Sequence, residues 1–321
     1  MYAFAVEAFG EPPALREVPA PEPGPGEVLI KVRAASVNPI DWKIADGQLA
    51  RPGVTFAFPL VLGFDVAGQV TAAGDGAGFQ VGAEVFGMRR PATIAQHPYG
   101  SYAPYMTASI ETAALAERPE DLDVLSAAAL PMTGGTALAL TRWLDPREGE
   151  SLLVVGAAGG VGSYVVQLAA ARGARVVAVA AGRDHDYVRG LGAAEVVDYR
   201  TADVADAVRA GHPGGVDAAL DLVDGRDLVA GRIAPLLRDG GRLASTLFAA
   251  DPDALAARGV RGVNFNYDAT VSDMEELARL VTSGRLRVPE TTTYPFSAMG
   301  EVYAASTAGH VRGKITVTTE E

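Results

Sequence analysis

Residues 151–181, SLLVVGAAGGVGSYVVQLAAARGARVVAVAA, read as a strand, a glycine-rich turn, a helix and a second strand. The apolar run Leu152 to Val155 ends at Gly156, and Gly159, Gly160 and Gly162 follow at once. Val161, Val165, Val166, Leu168 and Ala169 then recur at helical spacing until Gly173 stops the pattern. Glycines let a chain turn tightly and approach a pyrophosphate closely, while the free N–H groups at a helix start favour negative charge. An exposed terminus of this kind contributes about 0.3–1 kcal/mol per charge. The strict G-x-G-x-x-G spacing asks for glycine at 157, where this chain has Ala157, so the reading leans on context. That context is a strand before the turn, a helix after it, and the β-branched run Arg175 to Ala180 beyond.

The end of the second strand bears on the cofactor. An acidic residue there would hydrogen-bond the adenosine ribose of NAD, whereas Ala180, Ala181 and Gly182 are uncharged and Arg183 follows. That arrangement suits a 2'-phosphate and predicts NADPH. Asp184 and Asp186 lie within reach of the same ribose.

Composition narrows the rest. A chain of 321 residues with 49% hydrophobic content predicts two packed domains. Its net charge of −12 argues against nucleic acid or an anionic membrane as the main partner, since both reward a basic face. With no cysteine, disulfides, thiolate zinc sites, iron–sulfur clusters and a cysteine nucleophile are excluded together. His97, His185, His212 and His310 are scattered without metal-ligand spacing. The N-terminal MYAFAVEAFGE lacks a basic region followed by an apolar core, and no unbroken apolar stretch reaches the ~20 residues of a spanning helix. A cytoplasmic location is the expectation.

Working outward, the first ~120 residues are rich in Gly, Pro and short alternating strands, which predicts a compact β domain. Strands are expected at Val28 to Val37, within Val61 to Gly74, and at Glu84 to Phe86. LSAAALPMTGGTALALTRWL, from Leu125, reads as helical with a break at Pro131 to Gly135. Strand and helix then alternate: Glu195 to Tyr199, Ala202 to Ala210, Val216 to Val223, Asp227 to Leu237, Arg242 to Leu247 and Val260 to Phe265. With the two strands of the opening stretch this makes six, the pattern of a doubly wound parallel sheet. A helix at Ser272 to Ser283, a β segment at Pro289 to Phe296, a helix at Ala298 to Ala308 and a last strand, Lys314 to Thr318, complete the chain. That last strand is expected to return to the first domain, giving boundaries of 1–122 with 267–321, and 123–266.

Several separated motifs agree in order: Asn38-Pro39-Ile40-Asp41, Gly63-Phe64-Asp65-Val66-Ala67-Gly68, Gly100 to Tyr105 (GSYAPY), Ala128 to Pro131 with Thr136-Ala137, the 156–162 turn, Gly240-Gly241-Arg242, and His310 to Ile315 (HVRGKI). Along its whole length the chain resembles a zinc-less medium-chain dehydrogenase/reductase of the quinone oxidoreductase type. The resemblance implies an α/β protein with a GroES-like β-rich catalytic domain and a Rossmann NADPH-binding domain inserted into it. It implies hydride transfer from NADPH to a quinone or α,β-unsaturated carbonyl in a largely apolar cleft. Zinc-dependent relatives place a cysteine after the Val28 to Val37 strand and a His-Glu pair after the glycine matching Gly63; this chain has Asn38 and Phe64-Asp65, and no metal is expected. Gly82-Ala83-Glu84-Val85 departs from the family's Gly-Asp-x-Val, with Glu84 expected to stand in for the acid.

The resemblance places Asn38 and Asp41 near nicotinamide and substrate, where the Asn38 amide would assist a developing enolate. Turn chemistry for Asn38-Pro39 and a helix N-cap for Asp41 are the competing readings. The family often has tyrosine where this chain has Lys43, which leaves Lys43, Tyr102 or bulk water as proton donor. For the cofactor the resemblance implies Thr136 beside the carboxamide or ribose, Gly156, Ala158, Gly159, Gly160, Val161 and Gly162 around the pyrophosphate, Arg183 and Tyr199 at the 2'-phosphate, and Leu247 alongside. It also implies a homodimer formed through the edge strand near Val260 to Phe265. Two other readings compete: an enoyl-thioester or polyketide-type C=C reductase, for which Arg89-Arg90 is the only evident basic pair, and a non-catalytic NADPH-binding sensor.

Overall fold

In the computed structural model, which describes residues 1–50, 52–223, 225–309 and 311–319, the chain forms two compact units. His310, at the head of HVRGKI, lies outside the described residues. One unit is Met1–Gly135 with Asp268–Glu321, the other Thr136–Tyr267.

The first unit starts with β1 (Tyr2–Val6) and β2 (Ala14–Glu17) as an antiparallel pair. Next comes β3 (Val28–Ser36), where Val28, Ile30 and Val32 are buried and the intervening Lys31 is exposed, the period of a strand with one face on the core. Helix α1 (Pro39–Ala45) follows directly, with Pro39 at its first position, where a missing N–H removes nothing from the helix. β4 (Leu60–Val61), β5 (Asp65–Ala73), β6 (Glu84–Arg89), β7 (Tyr105–Ala108) and β8 (Ala113–Glu117) then extend the β core. β5 pairs with β3 along almost its full length, and β7 pairs with Val28 to Lys31 on the other edge of β3.

The helical stretch is broken one step earlier than the sequence suggests. α2 (Val124–Ala129) ends at Leu130, and Pro131 to Gly135 open α3 (Pro131–Leu144) instead of interrupting it. Proline is tolerated at the first position, and a side chain on Gly134 would come 3.2 Å from Leu277 Cδ2, so the glycine serves packing. α2 packs on β3 and β5, which moves the unit boundary from the expected 122/123 to 135/136, inside α3.

The second unit is a sheet of parallel strands: β9 (Ser151–Val155), β10 (Arg175–Ala180), β11 (Glu195–Asp198), β12 (Val216–Asp221), β13 (Leu237–Ser245) and β14 (Arg261–Asn264). Their order is β11-β10-β9-β12-β13-β14, so the chain reverses direction across the sheet between β9 and β12. β9 is buried throughout and β10 from Val176 onward, as strands covered on both faces must be, while β11 and most of β14 at the edges are half-buried. The crossovers are α4 (Gly160–Ala170), α5 (His185–Gly190), α6 (Val204–Gly211), α7 (Arg226–Leu228) and α8 (Pro252–Ala256). The helix expected over Asp227 to Leu237 is instead three short pieces, α7, a wide turn at Val229–Ile233 and a tight one at Ala234–Leu236. Gly231 and Pro235, both poor in a helix interior, fall within it.

The chain returns to the first unit as α9 (Val271–Thr282), β15 (Thr291–Pro295), α10 (Met299–Thr307) and β16 (Lys314–Thr318). β16 pairs antiparallel with β3, Thr316 opposite Ser36 and Thr318 opposite Ala34, completing the sheet β15-β16-β3-β5-β6-β8.

Candidate functional site

The residues singled out in the sequence fall into two groups, one in each unit. In the second unit the turn after β9 is built for close backbone approach. Gly156 has φ +87°, a left-handed value that side chains resist, and a Cβ there would stand 2.6 Å from Val223 Cγ2. At Gly162 a Cβ would meet the Gly156 carbonyl oxygen at 2.2 Å, so α4 packs on the turn only because position 162 has no side chain. Ala157, where the strict motif has glycine, is fully buried with its N–H donating to the Val179 carbonyl at 3.2 Å. It forms the wall behind the turn.

Gly159 is the N-cap of α4 and no side chain caps that helix, which leaves the N–H groups of Gly160, Val161 and Gly162 in a first turn with no intrahelical acceptor. Ala158 is half-buried, and its carbonyl accepts from Ser163 Oγ at 3.3 Å. This open, glycine-walled turn at the reversal point of the sheet fits a dinucleotide pyrophosphate. Arg183 follows β10, exposed, with Nε 3.7 Å from Asp184 Oδ2. Tyr199 follows β11 and Leu247 follows β13, both exposed, and Leu247 N–H donates to Ser245 Oγ at 3.1 Å. The fold thus gathers these residues at the carboxyl ends of β9, β10, β11 and β13. Thr136 lies in α3, 8% exposed.

Of the two acids placed near the ribose, Asp184 is buried and Asp186 exposed. The acid nearest Gly182 is a different one: Asp198 Oδ2 lies 2.6 Å from where a Gly182 Cβ would stand. Its signal in the sequence was its place at the end of β11, opposite Ala180.

In the first unit, α1 begins in a buried polar cluster. Asn38 is 1% exposed, and its Nδ2 donates to Asp65 Oδ2 at 2.8 Å and to the Ser36 carbonyl at 3.4 Å. Its Oδ1 accepts from Lys314 Nζ at 2.7 Å. Both ends of the amide are committed, so the side chain is not the free donor to a substrate oxygen that the resemblance implied. Asn38, and not Asp41, is the N-cap of α1; Asp41 stands at the third helical position and closes the cap from there, its Oδ2 accepting from the Asn38 N–H at 2.8 Å. The same oxygen accepts from the Tyr102 hydroxyl at 2.8 Å, and Tyr102 also reaches the Ser36 carbonyl at 3.2 Å. Asp65, fully buried, accepts in addition from Ser36 Oγ at 2.6 Å and Met132 N–H at 2.9 Å. Lys314, 3% exposed, stands 3.9 Å from Asp65 Oδ2 and donates to the Val37 carbonyl at 2.9 Å.

Burial dominates the protonation of this cluster. It pushes the Asp41 carboxyl up to about 7 against the Tyr102 and Asn38 hydrogen bonds, and raises Asp65 while Lys314 opposes. It lowers Lys314 against the attraction of Asp65 and Asp41, and raises Tyr102, which the Asp41 charge raises further. Ser36, Asp65 and Lys314 were not among the expected site residues, although Asp65 and Lys314 lie in the quoted GFDVAG and HVRGKI motifs.

The positions matching the zinc ligands of zinc-dependent relatives have little donor capacity left. Asn38 is engaged at both ends, Phe64 is an apolar ring 2% exposed, and both oxygens of Asp65 already accept hydrogen bonds. This set does not fit a zinc ion. Among the described residues, no three His, Cys, Asp or Glu side chains stand together as a metal cage.

Lys43 is half-buried on α1, and no hydrogen bond or ion pair engages its ammonium among the described residues. The Arg89-Arg90 pair is not available as a basic mouth. Arg89 is 4% exposed and donates to the Val61 and Gly63 carbonyls, both at 3.5 Å, and Arg90 binds Asp268 at 3.0 Å and the Ala269 carbonyl at 2.7 Å. Glu84 bridges Arg118 at 2.8 Å and Arg33 at 3.2 Å, a local structural use of the acid. No described helix is long and apolar enough to cross a membrane.

Residues 24–119 match the alcohol dehydrogenase GroES-like domain and residues 191–317 a zinc-binding dehydrogenase domain. The chain is 32% identical to the chloroplast envelope quinone oxidoreductase homolog of Arabidopsis thaliana over 99% of its own length and 98% of that protein's. It is 28% identical to the NADPH-dependent alkenal/one oxidoreductase of the same organism, covering 99% of this chain and 79% of that one. The quinone oxidoreductase structure from Coxiella burnetii superposes with a TM-score of 0.88 at 30% identity, covering 100% and 99% of the two chains. With its GroES-like unit and Rossmann-type sheet, the chain belongs to the medium-chain dehydrogenase/reductase family of oxidoreductases, among the quinone oxidoreductases.

Proposed function

We propose that this chain is a metal-independent, NADPH-dependent reductase that delivers a hydride to a quinone or an α,β-unsaturated carbonyl. The observation that carries the reading is the side-chain set at the zinc-ligand positions, where Asn38, Phe64 and Asp65 are buried and the polar pair is bonded internally. The relatives named for quinone and for alkenal reduction support the substrate class. When bound, the nicotinamide supplies the hydride.

The chain's own residues do the rest. Gly156, Ala158 and the first turn of α4 from Gly159 to Gly162 receive the pyrophosphate on backbone N–H groups. Arg183 and Tyr199, both exposed, receive the 2'-phosphate, with Thr136 and Leu247 flanking the cofactor. Asn38 and Asp41 hold the first turn of α1. Reduction also needs a proton, and the Tyr102 hydroxyl is already committed to Asp41. Lys43, whose ammonium is not engaged, is the donor. A homodimer would form along β14, which ends the sheet and leaves one edge of backbone groups to be covered.

Steady-state oxidation of NADPH and NADH against 1,4-quinones, a short enone and a crotonyl thioester tests the reading. Turnover of quinone or enone with NADPH, unchanged in a strong chelator, is expected. Tight NADPH binding with no oxidation across the panel would identify a sensor instead, and loss of turnover on chelation would overturn the metal-free mechanism. A marked preference for the thioester would move the assignment to C=C reduction of thioesters.

A further inference from the structure

We propose that Lys314 is a positioning residue for the reduction, its ammonium locking the Asn38 amide and, through Asn38, the first turn of α1 that bears Asp41 and Lys43. The inference rests on the reading above, since it takes α1 as the catalytic helix.

The geometry is one of a cation reaching in from the far end of the chain. Lys314 opens β16, 276 residues after Asn38, and its Nζ lies 2.7 Å from Asn38 Oδ1 and 2.9 Å from the Val37 carbonyl. Those two atoms belong to the residues joining β3 to α1. An ammonium has only donors, so its contact fixes which end of the amide is oxygen and sends Nδ2 toward Asp65, where it is found at 2.8 Å. The Asn38 N–H then donates to Asp41, and Tyr102 holds Asp41 from the other side. Rotation of the Asn38 amide would leave ammonium facing NH₂ and carboxylate facing carbonyl oxygen, both repulsive. One cation therefore sets one arrangement of the turn.

The approach of Lys314 is itself prepared. Gly313 has φ +63°, and a Cβ there would stand 1.9 Å from the Glu290 carbonyl oxygen, which accepts the Lys314 N–H at 2.9 Å. The glycine lets the start of β16 press against that backbone and carry the lysine inward. Burial lowers the ammonium's affinity for its proton, against the opposing attraction of Asp65 and Asp41.

The test uses the full chain with Lys314→Met, Lys314→Gln, Asn38→Ala and the Lys314→Met/Asn38→Ala pair. In folded Lys314→Met, kcat for a 1,4-quinone at saturating NADPH should fall by about 10²-fold, the scale of a small misplacement at a reacting centre, with NADPH affinity and quinone KM little changed. Lys314→Gln, which can still donate to Asn38 Oδ1, should recover part of the loss. The double variant should be no slower than the slower single one, because both act through the same turn. Unchanged kcat in folded Lys314→Met, additive losses in the pair, or failure of both lysine variants to fold would each overturn the proposal, the last by assigning Lys314 to stability alone. A readout without turnover keeps the two readings apart. In selectively labelled protein the Asn38 side-chain amide should exchange slowly with solvent and at least tenfold faster in Lys314→Met. If the wild type reduces no quinone or enone, the functional reading falls, while that exchange difference still decides whether Lys314 holds Asn38.

Discussion

The cofactor end of the sheet and the polar cluster at α1 are built from opposite materials. At the first, glycines 156, 159, 160 and 162 remove side chains so that backbone N–H groups are left open after β9. At the second, Asn38, Asp41, Asp65, Tyr102 and Lys314 are nearly sealed, and their hydrogen bonds run among one another. An open backbone site derives its affinity from a ligand it still awaits. A sealed side-chain cluster has already spent its hydrogen bonds on holding a shape.

The largest consequence belongs to the sealed cluster. Removing the charge partner of Lys314 with Asp65→Ala would strand a buried ammonium and leave Ser36, Asn38 and the Met132 N–H without their acceptor. Breaking a buried pair in this way costs about 3–5 kcal/mol, which chemical denaturation of wild type and variant will measure. A loss below about 1 kcal/mol, the size of an exposed ion pair, would mean the cluster is not the sealed element described.

The open site should break through space rather than charge. Gly162→Ala forces a Cβ to within 2.2 Å of the Gly156 carbonyl, and overpacking of that kind costs about 1–3 kcal/mol. Because the displaced groups are the turn and helix start themselves, NADPH affinity should fall with stability, as fluorescence titration would show. Stability lost with affinity intact would separate the turn from the cofactor.

This contrast also explains what the sequence disclosed. The glycine turn and the strands of the parallel sheet were legible because they depend on local spacing: apolar runs of strand length, glycines at fixed offsets, a helical period between them. The cluster was only half legible. Asn38 and Asp41 stand three residues apart and announce a helix start, but the partners that decide their roles are Asp65 and Lys314, 27 and 276 residues from Asn38. No local pattern reports that both ends of the Asn38 amide are taken. The expected break at Pro131 failed for a related reason, since whether a proline ends a helix or begins one depends on the turn before it.

A change of charge sharpens the open site. Arg183→Ala should weaken NADPH binding by about 1.5–3 kcal/mol, the range for a hydrogen bond to a charged group, and leave NADH nearly untouched. Equal affinities for NADPH in the two proteins would remove Arg183 from the 2'-phosphate site and direct attention to Tyr199 and to Asp198, whose carboxylate lies beside Gly182.

The remaining effect is a slope with pH, and it belongs to the cluster. The folded protein holds the Asp41 carboxyl near 7, above its ordinary value, chiefly through burial. A group with a raised folded pKa contributes its stability in full below its unfolded value and loses it as pH rises through the folded one. On this account Asp41 should stabilise the fold most below about pH 4, lose about 1 kcal/mol per pH unit between about pH 5 and pH 7, and contribute nothing above about pH 8. Asp41→Asn keeps an oxygen to accept from the Asn38 N–H and the Tyr102 hydroxyl but cannot ionise. Its amide nitrogen would replace Asp41 Oδ1, which is buried without a partner, and so add a penalty that does not vary with pH. The variant should thus be less stable than wild type at pH 5 yet show a flatter profile from pH 5 to 8. A wild-type profile that stays flat across that window would show that the Asp41 carboxyl is already ionised at its bottom, with Lys314 and Tyr102 outweighing burial.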